Sequence, residues 1–478
     1  MKVNRWFGII VSAVLMLSII SPTGVFAEKN RTLQDESIYD LLVDRFDNGN
    51  YNNDEDANPQ EPSAFSGGDF AGIFDRLDYI KGMGFTTISI GSVFSTAKYD
   101  GSEVLDYEKL EPHFGTGEDL TKMIGKVHEN DMKIIADFPL SGVSENHVWA
   151  KEEVLPSTPA GAGTVDWDSS DAEVQEKLKA AIISFVETYK LDGIRLTKLA
   201  DFDESFLNEV INDLKKVNEN LYVITTDATT ANFDLVPNTT KIEALQQSYV
   251  QVNPDTSPLA TFEDYKATDI IQFDELTGPR FTYEMLTLRM FPPTRWKLAA
   301  TALFMFPGVP VMPYATEIAV NGEKAPESHP ISNFKTDEEL IEYIGDLNKL
   351  RNQSDALRTG DFEMLHNEDG FTVFKRSNDK ETWIVALNNT SETSNVKLPE
   401  EVLGATKKLR GVVDGDLVKQ AKDGSYNVIL DREVAEVYIS EEDTGFNTPY
   451  LIASIMVFVL FFAFIIAVKR RAKKNAAK

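Results

Sequence analysis

Four times along the chain, an apolar stretch at helical spacing gives way to a short strand-like run. Residues 70–80 precede 86–90, 120–128 precede 133–137, 174–190 precede 191–198, and 206–217 precede 221–225. Helices alternating with strands in this way argue for a parallel sheet covered by its own crossover helices. Gly82 and Gly84 end the first helix ahead of its strand. Residues 37–46 alternate into an apolar run and are expected to form the first strand. An open sheet and a closed barrel fit this rhythm equally well. The chain has 478 residues, enough for a large core and a second domain. That second domain is expected from about Asp355, where short strand-like runs (371–375, 383–387, 434–439) are separated by Asn, Asp and Gly turns.

The two ends carry targeting signals. Lys2 and Arg5, an apolar run over 6–20 and the small-residue site Val25-Phe26-Ala27 read as a secretory leader, 1–27. Residues 451–468 hold no charge, and at about 1.5 Å per residue they can cross a hydrocarbon core of about 30 Å. The basic tail 469–478 follows, so a single-pass topology is expected, with the tail in the cytoplasm and the domains outside the cell membrane. Leaving out two cations in the leader and six in the tail, 39 Lys and Arg face 76 Asp and Glu, a net charge of −37. Such a field repels nucleic acid. There is no cysteine, so no disulfide or thiolate chemistry is available, which suits a bacterial exported protein.

Two stretches carry chemistry. Residues 47–56 form a loop dense in short oxygen-bearing side chains, suited either to a hard cation such as Ca²⁺ or to a solvated turn. Leu191-Asp192-Gly193-Ile194-Arg195-Leu196-Thr197-Lys198 reads as a strand that delivers a cation and then a hydroxyl. It resembles the second signature of the α-amylase superfamily (glycoside hydrolase family 13), Gly-Phe-Arg-Leu-Asp-Ala-Val-Lys-His. The resemblance extends over roughly 33–440, through Glu111-Pro112-His113-Phe114-Gly115-Thr116, through Phe306-Pro307-Gly308-Val309-Pro310-Val311 and on to Thr316-Glu317.

The resemblance implies an α/β fold: a (β/α)₈ TIM barrel over 33–353 with a short B insertion at 138–166, then an all-β sandwich over 354–440 and the transmembrane helix. It also implies a structural Ca²⁺ held by Asn48, Asn50, Asn53, Asp54, Gly67 and Asp69, and a substrate-binding role for Arg195. The family's three catalytic carboxylates fall at Thr197, Thr226 and Thr277. The sugar-stacking tyrosine falls at Ser102, the first-signature Asn-His at Ser141-Gly142, the second-signature Lys-His at Ala200-Asp201, and the fourth-signature His at Leu276. Asp137 and Asp274 are retained.

Glycoside hydrolysis needs two carboxyl groups flanking the bond, and threonine supplies neither without a strong base. The expectation is a catalytically inactive, membrane-anchored protein that binds a membrane partner, a cell-surface partner or an α-glucan. The alternative is an active α-glucan hydrolase using the displaced carboxylates Asp227, Asp274, Asp201 and Glu275, although a one-residue slip along a strand would turn Asp227 away. None of His113, His128, His147, His329 and His366 falls at a family substrate position. Tyr107, Trp149 and Trp167 are candidate sugar platforms by aromatic type.

Overall fold

The computed structural model describes residues 31–475 except 55, 200, 201, 267, 337, 444, 446 and 447. The expected leader and the candidate Asp201 lie outside the described residues. Eight parallel strands form a ring: β1 (Ile38–Asp40), β2 (Thr87–Ser89), β3 (Lys133–Pro139), β4 (Gly193–Thr197), β5 (Tyr222–Thr225), β6 (Val236–Pro237), β7 (Asp269–Ile271) and β8 (Val309–Pro313). Each strand neighbours its successor, and β8 returns to β1 with Ile38 opposite Val311. Between β5 and β6 the ring is joined by a single bridge, Ile224 to Leu235. The fold is therefore a barrel and not an open sheet.

β1 is shorter than its sequence suggests. It stops at Asp40, and Val43–Phe46 is a helical turn. Residues 38–46 are buried without a break, so the run has no solvent face to enforce alternation.

The main covering helices are α1 (Phe70–Gly82), α2 (Gly117–Glu129), α3 (Ala172–Tyr189), α4 (Glu204–Val217), α5 (Thr239–Tyr249), α6 (Phe281–Thr287), α7 (Pro292–Met305) and α8 (Glu339–Gln353). Asp69 caps α1 by accepting from the Gly72 N–H, and Thr116 with Asp119 forms a capping box on α2. The insertion after β3 folds into a small sheet of Val143–Ser144, Ser157–Gly161 and Thr164–Trp167.

On α8, the buried Arg351 donates to the carbonyls of Gln34, Asp35, Glu36 and Gly308. It joins the residues that enter β1 to those that enter β8, at the point where the ring closes.

The C-terminal domain comprises β9 (Asp361–Glu368), β10 (Phe371–Ser377), β11 (Thr382–Asn388), β12 (Ser394–Leu398), β13 (Lys407–Gly411), β14 (Leu417–Lys419), β15 (Tyr426–Leu430) and β16 (Val434–Glu442). The six-stranded sheet β9-β10-β11-β16-β13-β14 and the pair β12-β15 share a core that includes Phe371, Leu409, Tyr426 and Tyr438. The domain lies along α7. Arg295, near the start of α7, bonds Asn389 and Glu433, while Arg376 donates to the Met305 carbonyl at its end. The last helix, α9 (Thr448–Asn475), contains Leu451–Lys473, whose most apolar 18 residues have a mean hydropathy of 3.1 and are not buried. Among the described residues it is the one helix long and apolar enough to cross a membrane.

Candidate active site

A cavity of about 550 Å³ opens at the C-terminal ends of the barrel strands, the end at which this architecture places function. Thr197 ends β4, Thr226 follows β5, and Thr277 follows β7; all three line the cavity. The barrel thus brings together the three positions that the sequence singled out. Between them they present hydroxyls.

Beside the threonines, Arg195 of β4 is held from two sides. Its guanidinium donates to Asp137 at 2.6 and 2.8 Å and to Asp40 at 2.9 and 3.0 Å. Four of its five N–H groups are used within the protein. Burial pushes the Asp137 carboxyl up, and the guanidinium opposes that shift. Asp40 was missed by the sequence reading. Its signal was an acidic residue inside the apolar run 38–43, a placement that is costly without a cationic partner.

Lys198 was missed as well. It has a left-handed backbone (φ 56°), and its Nζ donates to the carbonyls of Ser102 at 2.6 Å and Gly142 at 2.9 Å. A Cβ on Gly142 would sit 3.1 Å from both Cδ and Nζ of Lys198. The lysine spans the two places where the resemblance puts the sugar-stacking tyrosine and the first-signature histidine. Burial pushes its ammonium down, while Asp100, Glu103 and Asp166 hold it up.

A third missed residue, His329, comes from the loop after β8. It bonds the Tyr99 hydroxyl at 2.9 Å through Nδ1 and donates to the Leu276 carbonyl through Nε2. It ties three cavity loops together, and burial pushes its pKa down, which favours the neutral ring.

The displaced carboxylates differ in situation. Asp227 lines the cavity, against the alternation argument, because β5 ends at Thr225 and the chain bends before Asp227. Its Oδ2 accepts from the Leu199 N–H at 2.9 Å. Asp274 is buried and committed to the Phe281 N–H, the Thr316 hydroxyl and the nearby Arg280. Glu275 is exposed on the rim and accepts from Gln272 at 3.1 Å.

Family descriptions match in two places: "Alpha amylase, catalytic domain" over residues 40–160 and "Alpha-amylase C-terminal domain" over residues 360–438. A solved α-amylase from Anoxybacillus is 35% identical with a TM-score of 0.83, covering 87% of this chain and all of that one. The chain belongs to the α-amylase family, glycoside hydrolase family 13. An α-amylase from Geobacillus thermoleovorans, solved with acarbose, is 33% identical with a TM-score of 0.81, covering 87% of this chain and all of that one. A cyclomaltodextrinase from Thermoanaerobacter pseudethanolicus is 27% identical over 415 residues, 76% of this chain and 71% of the relative.

In this α-amylase family member the proposed sugar platforms are core residues. Tyr107, Trp149 and Trp167 are at most 9% exposed and pack around His147. The Tyr107 hydroxyl donates to the Pro139 carbonyl at 2.6 Å, and burial pushes His147 down to about 4, so the ring stays neutral. Aromatic type alone does not distinguish a platform from a core residue, and here the B insertion covers these rings.

In the acidic loop, Asn48 Oδ1, Asn53 Oδ1 and Asp54 Oδ1 are buried without a hydrogen-bond partner. Asn48 donates to Asp54 at 2.6 Å, and Gly67 packs against both side chains so closely that a Cβ there would lie 2.6 Å from one and 2.8 Å from the other. Asp69 accepts from the N–H groups of Gly49, Asn50 and Gly72, and Asn50 Oδ1 accepts from Asn52.

Proposed function

We propose that this α-amylase family member does not hydrolyse glycosides. It acts as a binding protein held at a cell membrane by α9, taking an α-glucan or a cell-surface partner that presents a similar saccharide. One observation carries this reading: Thr197, Thr226 and Thr277, where the resemblance puts the family's catalytic carboxylates, line one cavity. A threonine hydroxyl supplies neither the proton donor nor the nucleophile that hydrolysis requires without a strong base. The lysine strut from Lys198 to Ser102 and Gly142 supports it, because those places are taken by the protein itself.

The test is incubation of the purified protein with maltooligosaccharides, starch and pullulan over hours. The expected result is saturable binding without turnover above that of an Asp227→Asn, Glu275→Gln variant. Turnover that falls in that variant would instead establish the second reading, a hydrolase with a displaced carboxylate. The reach of Asp227 into the cavity favours that second reading.

The acidic loop fits Ca²⁺. A hard cation takes six to eight oxygens, and the buried oxygens of Asn48, Asn53 and Asp54 that have no hydrogen-bond partner are donors of that kind. Asn50, Gly67 and Asp69 would shape the loop around them. The ion would contribute stability, so chelation should lower the melting temperature and added Ca²⁺ should restore it. An Asn48→Ala, Asp54→Ala variant should lose this response. A melting temperature indifferent to chelator and Ca²⁺ would remove calcium from the account.

A further inference from the structure

We infer that the cavity is held facing away from the bilayer, as a binding face for a water-soluble saccharide ligand arriving from the side opposite the membrane, and that the basal end of the barrel adjoins the lipid. The inference rests on the anchoring role of α9 and adds a direction to it.

The chain path supplies the argument. α7 runs from the cavity end of the barrel to its base, where Phe306–Gly308 lead into the start of β8. β16 runs beside it in the same sense. Glu433, just before β16, pairs with Arg295 at the cavity end of α7. Near the other end of β16, Ile439 lies opposite Trp383, whose neighbour across the sheet, Arg376, donates to the Met305 carbonyl at the base. The chain therefore leaves the folded domain at its base.

Lengths then decide the orientation. The nine residues of β16 span about 30 Å, so the cavity end stands about that far from the exit point. Only five residues separate β16 from α9, and the apolar stretch starts three residues into that helix. Fully extended, this tether reaches at most about 26 Å from Glu442 to the lipid. Turning the cavity onto the bilayer would lift the exit point by about the depth of the domain, which exceeds the tether.

The absence of native cysteine makes single-site labelling clean. Full-length protein carrying Thr277→Cys, at the cavity, or Asp379→Cys, in the basal hairpin between β10 and β11, is reconstituted into phosphatidylcholine–phosphatidylglycerol vesicles with a headgroup-linked acceptor dye. The expected result is strong energy transfer from position 379 and loss of transfer from position 277. Equal transfer from both positions, or stronger transfer from 277, would overturn the orientation while leaving the anchor intact. Protein that fails to float with the vesicles would overturn anchor and orientation together. Substitution at either position leaves the tether unchanged, and a label at a second basal position, Glu219→Cys, guards against a local folding defect at 379.

Discussion

Replacing Arg195 with methionine is expected to destabilise the barrel by about 3–5 kcal/mol, because it leaves two carboxylates, Asp40 and Asp137, without their shared cation. Both carboxylates are largely buried, with side chains 10% and 14% exposed, and line the cavity. Their mutual repulsion has no other guanidinium to absorb it among their hydrogen-bond partners. The sign of the pH response follows. In the variant the folded state should bind protons more tightly than the unfolded chain, since burial pushes the Asp137 carboxyl up and the guanidinium that opposes this shift is gone. The deficit should therefore shrink as pH falls from 7 towards the raised Asp137 pKa. Adding Asp40→Asn and Asp137→Asn to the variant should recover most of the loss at neutral pH. Urea midpoints of the three proteins at two pH values check this, and a deficit that grows on acidification would refute the charge argument.

The second large effect concerns ring closure. Arg351 is fully buried, and its four recorded bonds all go to backbone carbonyls. Burial, with Arg376 and Arg358 nearby, pushes it down to about 9. Arg351→Met should cost about 2–4 kcal/mol, set by carbonyls left without a donor and offset in part by relief of a buried charge. Arg351→Lys should recover less than half of this, because a point ammonium cannot fork across four acceptors. Hydrogen exchange at residues 34–40 and 308–311 should rise in both variants before it rises in the C-terminal domain. Uniform exchange across the chain would mean that Arg351 is not specific to closure.

The parts of this fold that could be read in advance are those set by local rules. Helical spacing located α1, α2, α3 and α4 and the strands that follow them, and Gly82 with Gly84 marked the end of α1. The composition change near residue 355 marked the sandwich. Where the reading overreached, at residues 41–46, the run is buried on every side and period-two alternation loses its cause. The site was legible through positions and illegible through partners. Thr197, Thr226 and Thr277 are separated by up to 80 residues of sequence yet line one cavity. Asp40 and Arg195 lie 155 residues apart, and although an acidic residue in an apolar run asks for a cation, nothing local says which one. His329 sits in a long loop whose path no periodicity predicts, and Lys198 drew no attention because a lysine after a strand usually reads as solvated.

The strut from Lys198 also fixes the order in which an enzyme could be rebuilt here. A side chain at position 142 would meet Lys198 at 3.1 Å, on a backbone (φ 60°) that glycine tolerates best. Gly142→His introduced alone therefore has to push the Lys198 terminus from its place between Ser102 and Gly142. Replacing the lysine beforehand clears that place for substitutions at 102 and 142. On the reading proposed above, building activity is thus a path in which the changes at Lys198 and at the threonines depend on one another rather than a sum of independent changes, and libraries that vary the threonines while keeping Lys198 would leave the bridge in place.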